Sequence, residues 1–237
     1  MYNQVNFCKN YNIKAIVTNR HHGVSVNEFN SLNLADHVND NIKSVKQNRL
    51  LITKQAKLPQ EPLWLKQVHS NNVISADDYH PETAADGIVT HKHSLVLTIL
   101  TADCLPILFF QPDTNAIGAC HAGWQGLAKN IIKNTIDKLN GKPSNIYCWI
   151  GPGISKKNYQ TNQEIANQVL STINLKTHHN NPHINLKNIA KLQLLQLGVK
   201  NILIDHRCSF DDFNLFSYRR QNITGRFASC IWINSPA

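Results

Sequence analysis

The sequence predicts an α+β fold in which a sandwich of mixed β-sheets is flanked by α-helices. Apolar segments of strand length alternate along the chain with stretches of helical periodicity. Two of the apolar segments, residues 95–100 and 105–110, are continuous enough to lie inside a buried sheet. No internal repeat and no Gly/Ser-rich or Pro-rich linker divides the 237 residues, which favours a single domain over 1–237.

Strands are predicted where apolar residues run continuously or alternate with polar ones. Residues 14–20 form a short strand that leads into a glycine-containing loop, and residues 63–76 alternate well enough to be interpreted as one strand. The predicted strands are residues 14–20, 63–76, 95–100, 105–110, 145–150, 201–205 and 227–233.

Helices are predicted where apolar residues recur every three or four positions. Asn39 and Asp40 are expected to cap the first helix, and Pro59 stops it. Gly141 and Gly198 are expected to end the second and the last helix. The predicted helices are residues 42–57, 126–141, 162–173 and 187–198.

Composition limits the function classes and the compartment. The chain carries a formal charge of +9, which could steer an anion such as phosphate or attract nucleic acid, but its lysines and arginines are scattered, so a solvated basic face is favoured over nucleic-acid binding. The N-terminal residues lack the pattern of a signal peptide, and the longest apolar runs are far too short for a membrane span. Six cysteines without close pairing are typical of free thiols. We therefore expect a cytoplasmic protein.

Three apolar segments each lead into a side chain that binds transition metals, namely His69, Cys104 and His121. One thiolate and two imidazoles are a reasonable ligand set for zinc that leaves the fourth position open, as in catalytic sites. The spacings of 35 and 17 residues are too wide for a zinc finger, so separate elements must assemble the site. The alternative is that Cys104 is a small, buried and inert residue.

The placement of these residues favours the metal site. Asp103 and Cys104 interrupt an apolar run just before Pro106, where a β-ladder is expected to end. Functional sites of α/β proteins usually form at the ends of buried strands, where polar side chains such as these are found. Asp103 is next to Cys104 in the sequence and is therefore the nearest candidate for a group that transfers protons at the site. The alternative is that its carboxylate orients His69 or His121.

Other polar and aromatic residues are candidates for substrate binding. Arg20 follows a strand beside a glycine and suits orthophosphate, because a guanidinium can hold an oxyanion through paired hydrogen bonds. Ser25 and Asn33 follow it, but an ordinary surface turn explains this segment as well. Trp124 can stack on a purine or act as a packing wedge. Arg219 either borders a base or phosphate pocket or stacks on the edge of the core.

The motifs around these residues resemble the bacterial laccase-domain family, formerly labelled polyphenol oxidase. The resemblance covers residues 18–232; TADCLP and HAGW are its specific motifs, and KQVHSNNV, ADGIVT and TGRFAS support it. It implies a zinc-dependent purine nucleoside phosphorylase with His69, Cys104 and His121 as zinc ligands. The implied substrates are orthophosphate and adenosine, inosine, guanosine or S-methyl-5'-thioadenosine, and the implied side activity is adenosine deamination. Gln125 stands where the family usually has a basic residue, so Arg20 is the predicted phosphate contact.

Two other chemistries would use the same residues. A metal-free hydrolase would take Cys104 as its nucleophile and His121 as its base. A multicopper oxidase needs many histidines in His-x-His pairs, whereas this sequence has a single such pair, at His91 and His93. Copper can still replace zinc at one thiolate-imidazole site, because it binds such ligands more tightly.

Overall fold

A computed structural model describes residues 1–235 of the chain. Within that range eleven strands form two mixed sheets, and five α-helices cover their outer faces. The predicted α+β sandwich flanked by helices is therefore confirmed. The strands are β1 (Tyr2–Gln4), β2 (Ile13–Thr18), β3 (Leu63–Trp64), β4 (Val73–Ser75), β5 (Gly87–Thr90), β6 (Leu97–Thr101), β7 (Leu105–Gln111), β8 (Ala116–Ala122), β9 (Tyr147–Ile150), β10 (Asn201–Ile204) and β11 (Phe227–Ile233). The helices are α1 (Ile42–Gln55), α2 (Trp124–Ala128), α3 (Ile131–Leu139), α4 (Gln163–Leu170) and α5 (Leu186–Gln196).

The two sheets differ in strand order but share a mixed character. In the described part of the chain, the five-stranded sheet has the order β1-β2-β11-β6-β3, in which β3 is parallel to β6 and the other pairs are antiparallel. The six-stranded sheet has the order β10-β9-β7-β8-β5-β4, with parallel pairs only at its two edges. Both patterns place the most apolar strands, β6, β7 and β8, away from the edges.

Alternation along β7 shows how the core is divided into layers. Leu108 and Phe110 lie in the cluster between the two sheets, whereas Ile107 and Phe109 pack in the cluster that contains residues of α2 to α5. On the far side, Ile52 of α1 packs against the outer face of the five-stranded sheet. Both faces of each sheet are therefore covered, which explains why the central strands are continuously apolar.

The prediction of one strand over residues 63–76 is wrong. The segment contains two short strands in different sheets, because β3 pairs with β6 and β4 pairs with β5. Between them the chain leaves the extended conformation, and His69 has a left-handed φ of 58°. The backbone amides of residues 68–70 donate to the carboxylate of Asp86 instead of to a neighbouring strand.

The prediction of one helix over residues 126–141 is also wrong, because the helix is interrupted. Asn130 separates α2 from α3 with a left-handed φ of 63°, a conformation that asparagine tolerates better than most residues. The second piece ends at Leu139, and the residue that caps it is Asn140, again left-handed with a φ of 51°, and not Gly141. Gly141 instead leaves space for Gln111, since an added Cβ would lie 2.3 Å from its Nε2.

The start of α1 differs from the prediction, whereas the end of α5 agrees with it. Asn41 caps α1, where its side chain accepts a hydrogen bond from the Lys43 amide at 2.9 Å, so the prediction of Asn39 and Asp40 as caps is wrong. The carboxylate of Asp40 instead accepts hydrogen bonds from the side chains of Ser25 and Asn33. The predicted end of the last helix is confirmed, because Gly198 follows α5 with a left-handed φ of 90°.

Candidate functional site

The antiparallel register of β7 and β8 brings Cys104 and His121 to the same end of the six-stranded sheet. Leu105 pairs with Ala122 and Pro106 pairs with His121. Cys104, the residue that precedes β7, therefore lies next to the last residues of β8. His121 is buried and Cys104 is half-buried. The two residues come from strand ends, as expected for a site built at the mouth of a sheet.

His69 completes a compact group of three donors. The ligand atoms of His69, Cys104 and His121 all lie within 4.8 Å of one another. The two imidazole rings are 4.7 Å apart between centroids and inclined by 74°, so they converge on the thiol from different directions. His69 is exposed, which leaves one side of the group open to solvent.

Asp86 belongs to this site but was not predicted from the sequence. Its fully buried carboxylate accepts hydrogen bonds from the amides of Val68, His69 and Ser70 and from the Ser70 hydroxyl, at 2.6 to 3.2 Å. It also contacts Nδ1 of His121 at 2.8 Å. Burial alone would raise the pKa of Asp86, but the hydrogen bonds from His121 and Ser70 lower it to about 2.

An ionised Asp86 fixes the orientation of His121. Because a carboxylate only accepts hydrogen bonds, Nδ1 of His121 must be the donor, and Nε2 is left as the atom that can bind a metal. The same carboxylate holds the backbone of His69. The available signal was the motif ADGIVT, in which an acidic residue immediately precedes a strand.

The electrostatics of the group favour a thiolate at Cys104. Burial alone would raise the pKa of this thiol, but the positive charge of His121 and the contacts of His121 and His69 lower it from 9.0 to about 6. Cys120, one residue before His121, behaves in the opposite way, since burial raises its pKa to about 12. Thiolates are the form in which cysteines bind metals.

Gly123 provides the space for this thiolate. A Cβ at position 123 would lie 2.7 Å from Sγ of Cys104 and 3.5 Å from Cδ2 of His69. Side-chain atoms do not approach one another so closely, so any larger residue would displace Cys104. The glycine of the HAGW motif therefore has a steric role at the donor group.

A cleft of about 530 Å³ opens beside the three donors. Two of the predicted substrate-binding residues, Trp124 and Arg219, line it, and so does Asp103. Other lining residues include His37 and Tyr218, and four that sequence reasoning did not consider for the site, namely Gln67, Thr101, Tyr159 and Arg226. A somewhat larger cavity, about 620 Å³, lies beside Lys156 and Ile184, away from the donor group.

The structure places Asp103 in a bracing position. One carboxylate oxygen accepts from the Ser209 hydroxyl at 2.6 Å and the other from the Arg219 amide at 2.7 Å. Asp103 has a φ of 99°, and its carbonyl accepts from the Ile154 amide. The carboxylate that contacts His121 is that of Asp86, not that of Asp103.

Arginines and aromatic residues alternate around the cleft. The Arg219 guanidinium lies 5.1 Å from the Tyr159 ring centroid and donates to the carbonyls of Asn158 and Gln160. Burial lowers the pKa of Arg226, whereas the negative charges of Cys104 and Asp103 act in the opposite direction. These aromatic surfaces and cations suit a ligand that combines a flat ring with an anion.

Arg20 lies outside the cleft. Its guanidinium stacks on the Phe216 ring at 4.5 Å, and Nε donates to the Asn30 carbonyl at 2.6 Å. Its carbonyl accepts from the amides of Ser31 and Leu32. These contacts organise the loop of residues 20–32 around the arginine.

Ser25 and Asn33 belong to a buried polar network beyond this loop. The Ser25 hydroxyl donates to Asp40 at 2.6 Å and accepts from Asn48 at 2.9 Å. The Asn33 amide donates to Asp40 and to the Ala35 carbonyl, and its oxygen accepts from two backbone amides, one of them at position 226. Neither side chain lines the cleft.

Comparison with known proteins identifies the family. Residues 14–234 match the family described as multi-copper polyphenol oxidoreductase laccase. The chain belongs to the laccase-domain family. A purine nucleoside phosphorylase of Haemophilus influenzae is 37% identical over 230 residues, which cover 93% of this chain and 94% of that protein. The purine nucleoside phosphorylase YfiH of Escherichia coli is 31% identical over 229 residues, with the same coverage.

A solved structure agrees with this family assignment. A crystal structure of a Neisseria meningitidis protein superposes with a TM-score of 0.87 at 33% identity, covering 94% of this chain and 95% of that one. As to membranes, no helix within residues 1–235 is long and apolar enough to cross one.

The donor set fits a single thiophilic metal ion. It offers one thiolate and two imidazoles within one small volume, a carboxylate that orients one imidazole, and an open side. A glycine keeps the position next to the sulfur free. This combination meets the requirements of a three-ligand catalytic zinc site.

Proposed function

We propose that this laccase-domain protein is a zinc-dependent purine nucleoside phosphorylase. The observation that carries the proposal is the convergence of His69, Cys104 and His121 at the edge of a cleft that also presents aromatic rings and arginines. The names of the Haemophilus influenzae and Escherichia coli relatives support the same reaction.

The metal would be held by His69, Cys104 and His121, with Asp86 orienting His121. When bound, zinc would supply a Lewis acid that polarises an oxygen of phosphate or substrate. Copper, which binds such ligands more tightly, is a possible substitute, and the expected oxidation in that case is adventitious.

The purine would stack between aromatic side chains of the cleft. Trp124 begins α2 and is half-buried, so it presents a fixed ring beside the donor group. The Arg219 guanidinium lies over the Tyr159 ring and donates to two backbone carbonyls, which limits the movement of both side chains. Two rigid rings offer the apolar contact area that a base requires, at low cost in conformational entropy.

The charge of the cleft suits orthophosphate as the second substrate. Arg219 and Arg226 line the cleft, and the one acidic lining residue in the described chain, Asp103, already has both oxygens engaged. Within residues 1–235 neither guanidinium forms an ion pair with a carboxylate, so both can donate to an incoming anion, and the charges of Cys104 and Asp103 act on Arg226 only without direct pairing. The sequence-based proposal of Arg20 as a phosphate contact remains open to test, although its guanidinium is stacked outside the cleft.

The proposed substrates are adenosine, inosine, guanosine and S-methyl-5'-thioadenosine, with adenosine deamination as a side activity. Deamination needs a group that moves a proton near the purine amine, and Asp103 is the proposed residue. All six cysteines are free thiols, which supports the proposal that the enzyme works in the reducing cytoplasm.

The test is release of free base from each nucleoside, followed by chromatography with and without orthophosphate. The zinc-loaded enzyme should release base only when phosphate is present, and a chelator should abolish the release until zinc is restored. Base release that needs no phosphate would identify a hydrolase. Release that survives complete removal of metal would contradict the zinc dependence.

A metal-free Cys/His hydrolase is the second candidate, favoured by one observation. Cys104 and His121 form a charged pair in which the pKa of the thiol is lowered to about 6, as a nucleophile requires. A covalent thiol adduct on Cys104 in an active, metal-free protein would support this function. One zinc ion per active chain, with activity lost together with the metal, would exclude it.

A further inference from the structure

A buried hydroxyl in the cleft lacks a hydrogen-bond partner in the described part of the chain. Thr101 ends β6, is 1% exposed and lines the cleft beside the donor group. Within residues 1–235, its Oγ1 finds no donor or acceptor. A buried hydroxyl without a partner costs free energy, so such groups are rare unless a ligand or water satisfies them.

A guanidinium with free N–H groups lies at the same end of the sheet. Phe227, the first residue of β11, pairs with Thr101, so Arg226 stands next to this pair. Nη1 of Arg226 donates to the carbonyls of Thr224 and Gly225, whereas Nε and Nη2 find no acceptor in the described residues. The ring of Tyr218, 5.9 Å away, and the hydrogen bond from the Arg226 amide to Asn33 hold the residue in place.

The surroundings favour an anion over a cation at this end of the cleft. The negative charges of Cys104 and Asp103 lie near Arg226, but both carboxylate oxygens of Asp103 accept from Ser209 and the Arg219 amide, so within residues 1–235 Arg226 has no carboxylate as a hydrogen-bond acceptor. A hydroxyl can donate to an oxyanion, and a guanidinium edge can donate two further hydrogen bonds. Both residues line the same cleft and together offer the kind of donors that a phosphate oxyanion accepts from.

We propose that Thr101 and Arg226 form the oxyanion subsite of the cleft, which binds orthophosphate next to the donor group. This proposal rests on the proposed phosphorylase function and assigns its phosphate site. Thr101 donates from Oγ1, and Arg226 donates from Nε and Nη2.

The experiment measures binding of inorganic phosphate to the zinc-loaded protein by calorimetry. Thr101→Val keeps the side-chain shape but removes the hydroxyl, and it should raise the Kd for phosphate about tenfold, the effect of losing one hydrogen bond to a charged group. Arg226→Gln should raise the Kd further. Thr98→Val is the matched control, because Thr98 is buried in the same strand but does not line the cleft.

Two conservative variants guard against misfolding. Thr101→Ser retains the hydroxyl and Arg226→Lys retains the charge, so both should bind phosphate more tightly than Thr101→Val and Arg226→Gln, respectively. The proposal is overturned if wild-type protein does not bind phosphate, or if folded Thr101→Val and Arg226→Gln bind it within twofold of wild type.

Steady-state kinetics separates this proposal from the proposed function. If wild-type enzyme phosphorolyses nucleosides but Thr101→Val leaves the KM for phosphate unchanged, the function holds and the subsite assignment fails. If phosphate binding depends on Thr101 and Arg226 but no nucleoside of the panel releases base, the subsite holds and the function fails. A selective loss of phosphate affinity in Arg20→Gln alone would overturn the assignment in favour of the loop of residues 20–32.

Discussion

The buried polar network beside the loop of residues 20–32 and the polar lining of the cleft differ in how completely their hydrogen bonds are satisfied within residues 1–235. In the network of Ser25, Asn33, Asp40 and Asn48, each side chain bonds to another member or to the backbone. In the cleft, Thr101 lacks a partner among the described residues. A saturated network stabilises a loop, whereas polar groups left open at a cavity are available to a ligand.

Two cysteines near the donor group differ in the direction of their pKa shifts. Cys104 and Cys120 lie near the same end of the six-stranded sheet, yet the pKa of Cys104 is lowered to about 6 and that of Cys120 is raised to about 12. Burial pushes both pKa values upward, and only Cys104 has imidazoles against it. Because burial acts on both thiols in the same direction, the imidazoles beside Cys104 account for the difference between the two pKa values.

Removing the thiolate should give the largest effect. We expect Cys104→Ala to lose nearly all of its zinc and to lower kcat/KM by about a thousandfold or more, because several kcal/mol of Lewis-acid stabilisation would be lost. Metal analysis of the purified variant and the base-release assay check this. The control is Cys120→Ala, which should keep a full equivalent of zinc. Full zinc occupancy in Cys104→Ala would rule out the assigned ligand set.

Changing the orienting carboxylate should have a smaller effect on the same site. Asp86→Asn should weaken zinc binding about tenfold to a hundredfold, since loss of an orienting partner typically has that size. A fluorescent zinc chelator in competition with the protein measures the affinity. Asp103→Asn is the matched comparison and should leave zinc affinity unchanged, because Asp103 braces Ser209 and Arg219. Equal losses in both variants would refute the distinct role of Asp86.

Disrupting the saturated network should affect stability and not substrate affinity. Ser25→Ala removes a hydroxyl that bonds to both Asp40 and Asn48, so the free energy of unfolding should fall by roughly 1–3 kcal/mol. Denaturant unfolding measures this change, and the KM values for phosphate and nucleoside should stay the same. A rise in either KM with unchanged stability would support the sequence-based prediction that Ser25 binds substrate.

The smallest effect is expected at Arg20. Because its guanidinium stacks on Phe216 and bonds to the Asn30 carbonyl, Arg20→Gln should change the KM for phosphate and the KM for nucleoside by the same small factor, about threefold or less. Initial-rate kinetics with each substrate varied in turn decides the point. A selective rise in the KM for phosphate would show that the original prediction of a phosphate contact is correct.

The sequence by itself determined the layered α+β core and was sufficient to predict the three metal donors. Continuous apolar strands, helical periodicity and a helix-ending glycine are local signals, and they correctly predicted β6, β7, β11 and α5. The motifs around His69, Cys104 and His121 pointed to residues whose donor atoms the fold then gathers within 4.8 Å.

Tertiary structure alone decided which polar residues serve the cleft and which serve the scaffold. Asp86 and Thr101 were not selected from the sequence, whereas Ser25 and Asn33 were selected and lie in a buried network. Tertiary structure also divides the segment 63–76 into two strands, because the amides of residues 68–70 donate hydrogen bonds to the Asp86 carboxylate. Hydrogen bonds between residues distant in sequence leave no periodic trace, so only the folded chain reveals whether a polar group is already satisfied.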